Sequence, residues 1–211
     1  MQPYKTLAAD GYAYYEIQKS KFHVYTAHVE SEAEARDFIT SIKKKHFDAR
    51  HNCSAWVLGE DSGIQKSNDD GEPGGTAGNP ILEAIKQHGL TNAVVVVTRY
   101  FGGIKLGAGG LIRAYNHTAS IGLDASDILE IKPMARLSVA LDYDLWGTME
   151  NWLRASEIRT DGTDYTDKVT VQLLIEPDQL EAVTTEITNL TAARAVLTPH
   201  EPEYLALPVT K

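Results

Sequence analysis

Ala93-Val-Val-Val-Val97 passes through Thr98-Arg-Tyr100 into Phe101-Gly-Gly-Ile-Lys-Leu-Gly-Ala-Gly-Gly110. Four successive valines leave no polar alternation, the pattern of a strand covered on both faces. The ten residues after Tyr100 are too rich in glycine for the interior of a strand or helix, so they read as a loop. Beyond it, Ile112, Tyr115, Ala119 and Leu123 share one helical stripe. Upstream, Asn68-Asp-Asp-Gly-Glu-Pro-Gly-Gly-Thr-Ala-Gly78 reads as a second glycine-rich loop, leading to a helix that carries Ile81, Leu82 and Ile85 and that Gly89 can terminate.

The rest of the N-terminal half alternates strands and helices. Tyr12–Ile17 and Phe22–Val29 are aromatic and β-branched, separated by a Gln18-Lys-Ser-Lys21 turn. Ser31 and Glu34 form a capping box for a helix whose apolar face is Ala35, Phe38, Ile39 and Ile42, with Lys43–Lys45 in its last turn. Cys53–Leu58 and Ile64–Lys66 read as a hairpin across Gly59–Gly63. Pro133 interrupts the pattern, which places a domain boundary near Ile131–Met134. After it, Ala135–Leu141, a helix with Leu145, Met149, Trp152 and Leu153, strands near Ile158–Thr163 and Val169–Ile175, a helix over Asp178–Leu190 and a strand at Ala195–Pro199 give β-α-β-β-α-β. An Asp161-Gly-Thr-Asp164 turn joins the middle strands, and the order is that of a ferredoxin-like domain. The fold class is α+β, with expected domains at 1–132 and 135–207.

Composition bounds what such a protein does. The 211 residues are 43% apolar and 23% charged, ordinary for a globular chain. No apolar run suggests a membrane span, and the start lacks a signal-peptide core. The single cysteine, Cys53, excludes an internal disulfide and fits a reducing cytoplasm. Net charge is −9, and it is uneven: residues 1–132 carry 14 Lys and Arg against 16 Asp and Glu, whereas the remainder carries 6 against 13. A grip on a polyanion must therefore come from a local patch in the first half.

Chemistry concentrates at the two loops. Each leads into a helix N-terminus, where free amides and the dipole favour an anion. The candidate ligand-binding residues are Asp69, Asp70, Glu72, Gly74, Gly75, Thr76 and Gly78 on the first loop. On and around the second they are Arg99, Tyr100, Gly102, Gly103, Lys105, Gly107, Gly109, Gly110 and Arg113. The functional reading is a cradle for phosphate or a nucleic-acid backbone; the alternative is a pair of tight turns whose glycines serve close packing. Neither loop fits a nucleotide motif. Gly78 is followed by Asn79 rather than Lys, and Ile112 stands where a third dinucleotide-motif glycine belongs. Asp69, Asp70 and Glu72 suit Mg²⁺ in principle, but a solvated turn or partners for Arg and Lys is the simpler reading. Asp70 or Glu72 can also brace the loops by accepting from a buried Arg99. Cys53 with His51 or His117 is the one nucleophile–base combination available, against the simpler reading of Cys53 as a small core residue. No metal or cofactor is implied.

Ser67-Asn-Asp-Asp-Gly-Glu-Pro-Gly-Gly-Thr-Ala-Gly-Asn-Pro-Ile-Leu82 and Val95-Val-Val-Thr-Arg-Tyr-Phe-Gly-Gly-Ile-Lys-Leu-Gly-Ala-Gly-Gly-Leu-Ile-Arg-Ala-Tyr115 resemble the YigZ/IMPACT family. Ser20-Lys-Phe22 and Ala49-Arg-His-Asn-Cys-Ser-Ala-Trp56 add weaker support. The resemblance implies an N-terminal two-layer α/β sandwich, similar to a small-subunit ribosomal protein domain and to domain IV of elongation factor G, followed by a ferredoxin-like domain. Eukaryotic IMPACT proteins restrain a starvation-responsive initiation-factor kinase through its activator. The match begins near residue 15, so their extra N-terminal partner-binding domain is expected to be missing, and the kinase role does not transfer. No catalytic residues come with the resemblance. It implies a translation-associated regulator that binds RNA, the ribosome or a translation factor through the loops. The alternative readings are an enzyme for a small molecule or phosphate ester, using Asp69, Asp70 and Glu72 in the same cleft, and an interaction module that docks through its acidic C-terminal domain.

Overall fold

A computed structural model describes residues 2–209. The chain divides into two compact units, one running up to Ile131 and rejoined from Ala206 on, the other from Lys132 to Leu205.

In the first unit the elements are β1 (Tyr4–Leu7), β2 (Gly11–Ile17), β3 (Ser20–His28), α1 (Glu32–Lys45), β4 (His51–Leu58), β5 (Ile64–Asn68), α2 (Gly78–Gln87), β6 (Ala93–Tyr100) and α3 (Gly107–Ala125). The start of β7 (Ile128–Leu141) pairs with β1. The central sheet has the order β2-β3-β6-β4-β5, every pair antiparallel. The valine run explains β6 at its centre. Each fully buried valine contributes about 1.5–3 kcal/mol, and only a strand packed on both faces buries them all. Ala93, Val95 and Val97 meet Ile81, Ile85, Leu111 and Tyr115, whereas Val94 and Val96 meet Ala35 and Ile42. Helices α2 and α3 thus cover one face and α1 the other. The expected two-layer sandwich is corrected to three layers, because helical periodicity identifies the apolar face of α1 but not the side of the sheet it joins.

Helix α1 starts as its capping residues require. Ser31 accepts from the Glu34 amide at 3.3 Å, and the Glu34 carboxylate accepts from the Glu30 amide at 2.7 Å, one residue earlier than in the standard box. One expected element boundary moves. Gly107–Gly110 is the first turn of α3 rather than loop. Glycine costs about 1 kcal/mol per helical position, but the buried stripe from Leu111 to Leu123 outweighs that cost. Pro133 lies within β7, between the residues paired with β1, ending at Ile131, and those paired with β9, starting at Ala135, and the two units divide between Ile131 and Lys132.

The second unit comprises the rest of β7, α4 (Tyr143–Ala155), β8 (Arg159–Tyr165), β9 (Val169–Ile175), α5 (Leu180–Leu190) and β10 (Val196–Pro199). Its order β10-β7-β9-β8, all antiparallel, with this β-α-β-β-α-β sequence, is the ferredoxin-like arrangement. Leu137, Val139, Val171 and Leu173 pack with Met149, Val183 and Ile187, and Trp146 and Trp152 lie half-buried against them. Asp161–Asp164 is not the turn between β8 and β9. It lies inside β8, where the register shifts between Thr160 and Thr163 and Gly162 has φ +124°. A final strand, β11 (Glu203–Pro208), also pairs with β7. Among the described residues no helix is long and apolar enough to cross a membrane.

Candidate functional site

The first loop is closed by its own side chains. Asp69 accepts from the amides of Gly75 (2.8 Å), Ala77 (3.0 Å) and Gly78 (2.8 Å), so a carboxylate of the protein occupies the N-terminus of α2. Burial opposes its charge, yet the three backbone hydrogen bonds outweigh burial and hold Asp69 below the usual carboxylate range. Asp70 takes Lys43 at 2.6 Å and the Asn52 amide at 2.8 Å. Thr76 donates to the Pro73 carbonyl at 2.6 Å. Gly78 packs against the strand end: a Cβ there would lie 2.7 Å from the Asn68 nitrogen. Gly74 faces open space.

Glu72 ties this loop to the sheet and to α3. Its Oε1 accepts from Arg99 Nη1 and from the Tyr115 hydroxyl, each at 2.7 Å, in a place where the Glu72 and Arg99 side chains are 4% and 6% exposed. Arg99 also donates to Ser20 Oγ at 3.3 Å and lies 5.6 Å from the ring centres of Phe22 and Phe101. Arg99 is therefore a bolt between the loops, as the bracing alternative anticipates, and not a cation lining a groove. Burial raises the Tyr115 phenol, with the nearby Cys53 and Glu72 adding to the effect.

Cys53 is fully buried and donates to the Asp69 carbonyl at 2.9 Å, and burial pushes its thiol up, away from the thiolate. His51 is hydrogen-bonded to the Asp70 carbonyl at 3.0 Å. His117 is exposed on α3, its ring 4.6 Å from that of Tyr15. No nucleophile–base pair is assembled from these three residues, because Cys53 faces the core between the sheet and α2/α3 and is spent on a backbone carbonyl. Among the described residues, no group of three or more His, Cys, Asp or Glu could hold a metal ion.

The second loop is different. Gly102 presses on the β2–β3 turn, where a Cβ would lie 2.0 Å from the Lys19 carbonyl carbon, and its amide donates to Ser20 Oγ at 3.2 Å. From there Gly103 and Lys105 turn outward, exposed. Helix α3 then begins at Gly107 with no side-chain cap and no acidic residue in its first turn. Arg113 Nη1 lies 3.5 Å from where a Cβ on Gly109 would stand, so its guanidinium runs along that turn. Arg113, His117, Gly110, Leu106, Tyr15 and Gln18 surround a cavity of about 350 Å³. Of the sixteen loop candidates, then, Lys105, Gly107, Gly109, Gly110 and Arg113 gather at an open helix start. Asp69, Glu72 and Arg99 are consumed inside the scaffold.

Tyr100 belongs elsewhere. It points to the α1 side, donates to Asp48 at 2.9 Å and meets His46 Nδ1 at 2.8 Å; burial, then this Asp48 contact, pushes its phenol up to about 12. Because the single Tyr100 proton goes to Asp48, His46 Nδ1 donates to Tyr100, and Tyr25 donates to His46 Nε2 at 2.7 Å. Tyr12, Tyr14 and His23 continue this cluster across β2 and β3. Spacing of the histidines gives no hint of it. The signal is the alternation Tyr12, Tyr14 and His23, Tyr25, which places four rings on one face of a hairpin.

Residues 18–123 match the Impact N-terminal domain, and residues 139–194 match a domain of unknown function, DUF1949. The chain is 45% identical over 189 residues to IMPACT family member YvyE of Bacillus subtilis (strain 168), covering 90% of this chain and 87% of that one. It is 36% identical over 152 residues to IMPACT family member YigZ of Escherichia coli (strain K12), covering 71% and 74%. Similarity to the Protein IMPACT homolog of Saccharomyces cerevisiae is confined to 93 residues at 38% identity, 42% of this chain and 35% of that one. A crystal structure of a hypothetical protein superposes over 95% of this chain and 98% of its own, with a TM-score of 0.61 and 30% identity. Both domains and most of the length of its bacterial relatives being matched, the chain belongs to the IMPACT family.

Proposed function

We propose that this protein is a translation-associated regulator that contacts RNA, gripping phosphate at the start of α3 with Lys105 and Arg113. One contrast carries the reading. The two glycine-rich loops both open helices, but α2 holds the protein's own Asp69 carboxylate, whereas α3 has no cap, no acid in its first turn and two cations beside it. A helix start so arranged attracts an anion from outside the chain. With a net charge of −9 any such grip has to come from a local cationic patch, and the resemblance to translation-factor domains supports RNA as the polyanion. Ribosome or translation-factor binding would use the same surface. No observation favours a phosphate-ester enzyme: Asp69, Asp70 and Glu72 are committed to backbone amides, Lys43 and Arg99.

The experiment is a filter-binding salt titration with ribosomal RNA, comparing the wild type with Lys105→Glu/Arg113→Glu. Affinity falls as salt rises, and the double variant lowers the log–log slope by about 0.7–0.9 for each lost phosphate contact. Wild-type protein that retains no RNA at low salt, or a variant indistinguishable from it, refutes the reading.

A further inference from the structure

We propose that the uncovered face of β2 and β3 is a stacking platform for the bases of single-stranded RNA, with Lys21 and Lys45 beside it to hold the backbone; the proposal rests on the RNA reading above and assigns it a second surface. Helix α1 packs over β4 and β6, so the same face of the sheet is left open at its β2 edge. What lies there is not the usual polar carpet. Tyr12 pairs across the strands with Tyr25 and Tyr14 with His23, and Tyr12 and Tyr14 are 51% and 43% exposed. Ring centres are 5.1 Å apart within each of these pairs, and 5.2 Å separates His23 from His46. The aromatic surface is thus continuous from the sheet edge to the end of α1.

The polar tips of these rings are already used. Tyr12 is hydrogen-bonded to His23 Nδ1 at 2.9 Å, and Tyr14 donates to Glu16 at 2.6 Å. These bonds fix the rings and leave their π faces as the part on offer. Beside them lies a depression of about 510 Å³ bounded by Tyr12, His23, Tyr25, His46, Lys45 and Asp10. Lys45 Nζ sits 4.6 Å over the Tyr25 ring, and Lys21 is exposed on β3, two residues from His23. Of the acids nearby, Glu16 and Asp48 are hydrogen-bonded to tyrosines, and Asp10 lines the depression, opposed by the charges of Lys21 and Lys45. Fixed rings flanked by cations suit unstacked bases joined by phosphates, and a duplex, whose bases are already stacked, has no ring face to present. An apolar protein partner would find too many cations and imidazole edges here.

The test is fluorescence anisotropy of a labelled single-stranded RNA dodecamer of mixed sequence with the full chain, repeated with the corresponding RNA duplex as competitor. Tyr12→Ala and Tyr14→Ala each weaken single-strand binding about 5- to 150-fold, the range expected for one stacked base. Tyr14→Phe keeps the ring and stays within twofold of wild type, which separates stacking from hydrogen bonding, and unchanged melting temperatures exclude misfolding. The duplex competes poorly. Alanine variants that bind like wild type, while Lys105→Glu/Arg113→Glu loses RNA, overturn the platform and leave the α3 site standing. The reverse pattern upholds the platform and removes the α3 site. A wild type that binds neither RNA overturns both.

Discussion

Glu72→Gln keeps the size of the side chain and the oxygen that Tyr115 needs, and removes only the negative charge facing Arg99. The pair is almost wholly enclosed, at 4% and 6% side-chain exposure. Without the carboxylate the guanidinium keeps a 3.3 Å contact to Ser20 and two aromatic neighbours, and its Nε, buried in the wild type, has no partner there to fall back on. Breaking one side of a buried ion pair costs about 3–5 kcal/mol, because an unneutralised charge stays in the interior. At about 1.4 kcal/mol per tenfold, amides of β6 that open only by global unfolding then exchange about two to four powers of ten faster. Native-state hydrogen exchange of β6, with urea denaturation in parallel, measures this directly. Replacing all three partners, Glu72→Leu with Arg99→Met and Tyr115→Phe, recovers most of the loss, since an apolar cluster strands neither a charge nor the Tyr115 hydroxyl. A cost below about 1 kcal/mol for Glu72→Gln would refute the view of Arg99 as a buried bolt, and would return it to the pool of cations available to a ligand.

Three further outcomes follow from the same geometry. Asp69→Ala leaves the amides of Gly75, Ala77 and Gly78 without their acceptor and lowers stability by about 1–2 kcal/mol, read from urea midpoints. As the native Asp69 pKa is depressed, its contribution is present above the unfolded carboxylate pKa and disappears as pH falls through the native one. Gly78→Ala collides with the backbone of Asn68 and destabilises, whereas Gly74→Ala, which meets nothing within 4 Å, stays within about 0.5 kcal/mol of wild type in thermal melts. His23 and His46 are both held below the ordinary histidine pKa, by burial first and by neighbouring positive charge second. The unfolded chain therefore binds more protons as pH drops below about 6.5, so stability falls from pH 7 to pH 5, and His23→Gln/His46→Gln flattens that profile.

The sequence discloses these features unequally, for a physical reason. Apolar periodicity is local, so β6, the face of α1 and the β-α-β-β-α-β order are all legible without coordinates. The Arg99–Glu72 bolt is legible as an alternative because a strand arginine beside an acidic loop needs a counterion. That Asp69 fills the α2 terminus is not legible: the carboxylate reaches amides six to nine residues ahead, and only the path of the loop brings them within range. The two loops look equivalent as strings and differ in what their helix starts already hold.

Strand β2 joins the two surfaces that remain. Its odd residues Tyr15 and Ile17 line the cavity at α3, while its even residues Tyr12 and Tyr14 form the open face on the other side. Because β2 is the edge of the sheet and ends in the tight Gln18-Lys19 turn, with both residues at positive φ, no further strand separates the two faces. A single RNA strand passing around that edge would lay phosphate on Arg113 and bases on Tyr14 within one side-chain alternation. The two-residue period that makes β2 a strand thus sets the spacing of the two proposed surfaces, and a one-residue insertion between Tyr14 and the hairpin turn should uncouple them: the register slip would carry Tyr12 and Tyr14 into the α3 side. In the anisotropy assay such a variant, if folded, loses the single-strand preference altogether; one that keeps it would break the link between the strand's alternation and RNA binding.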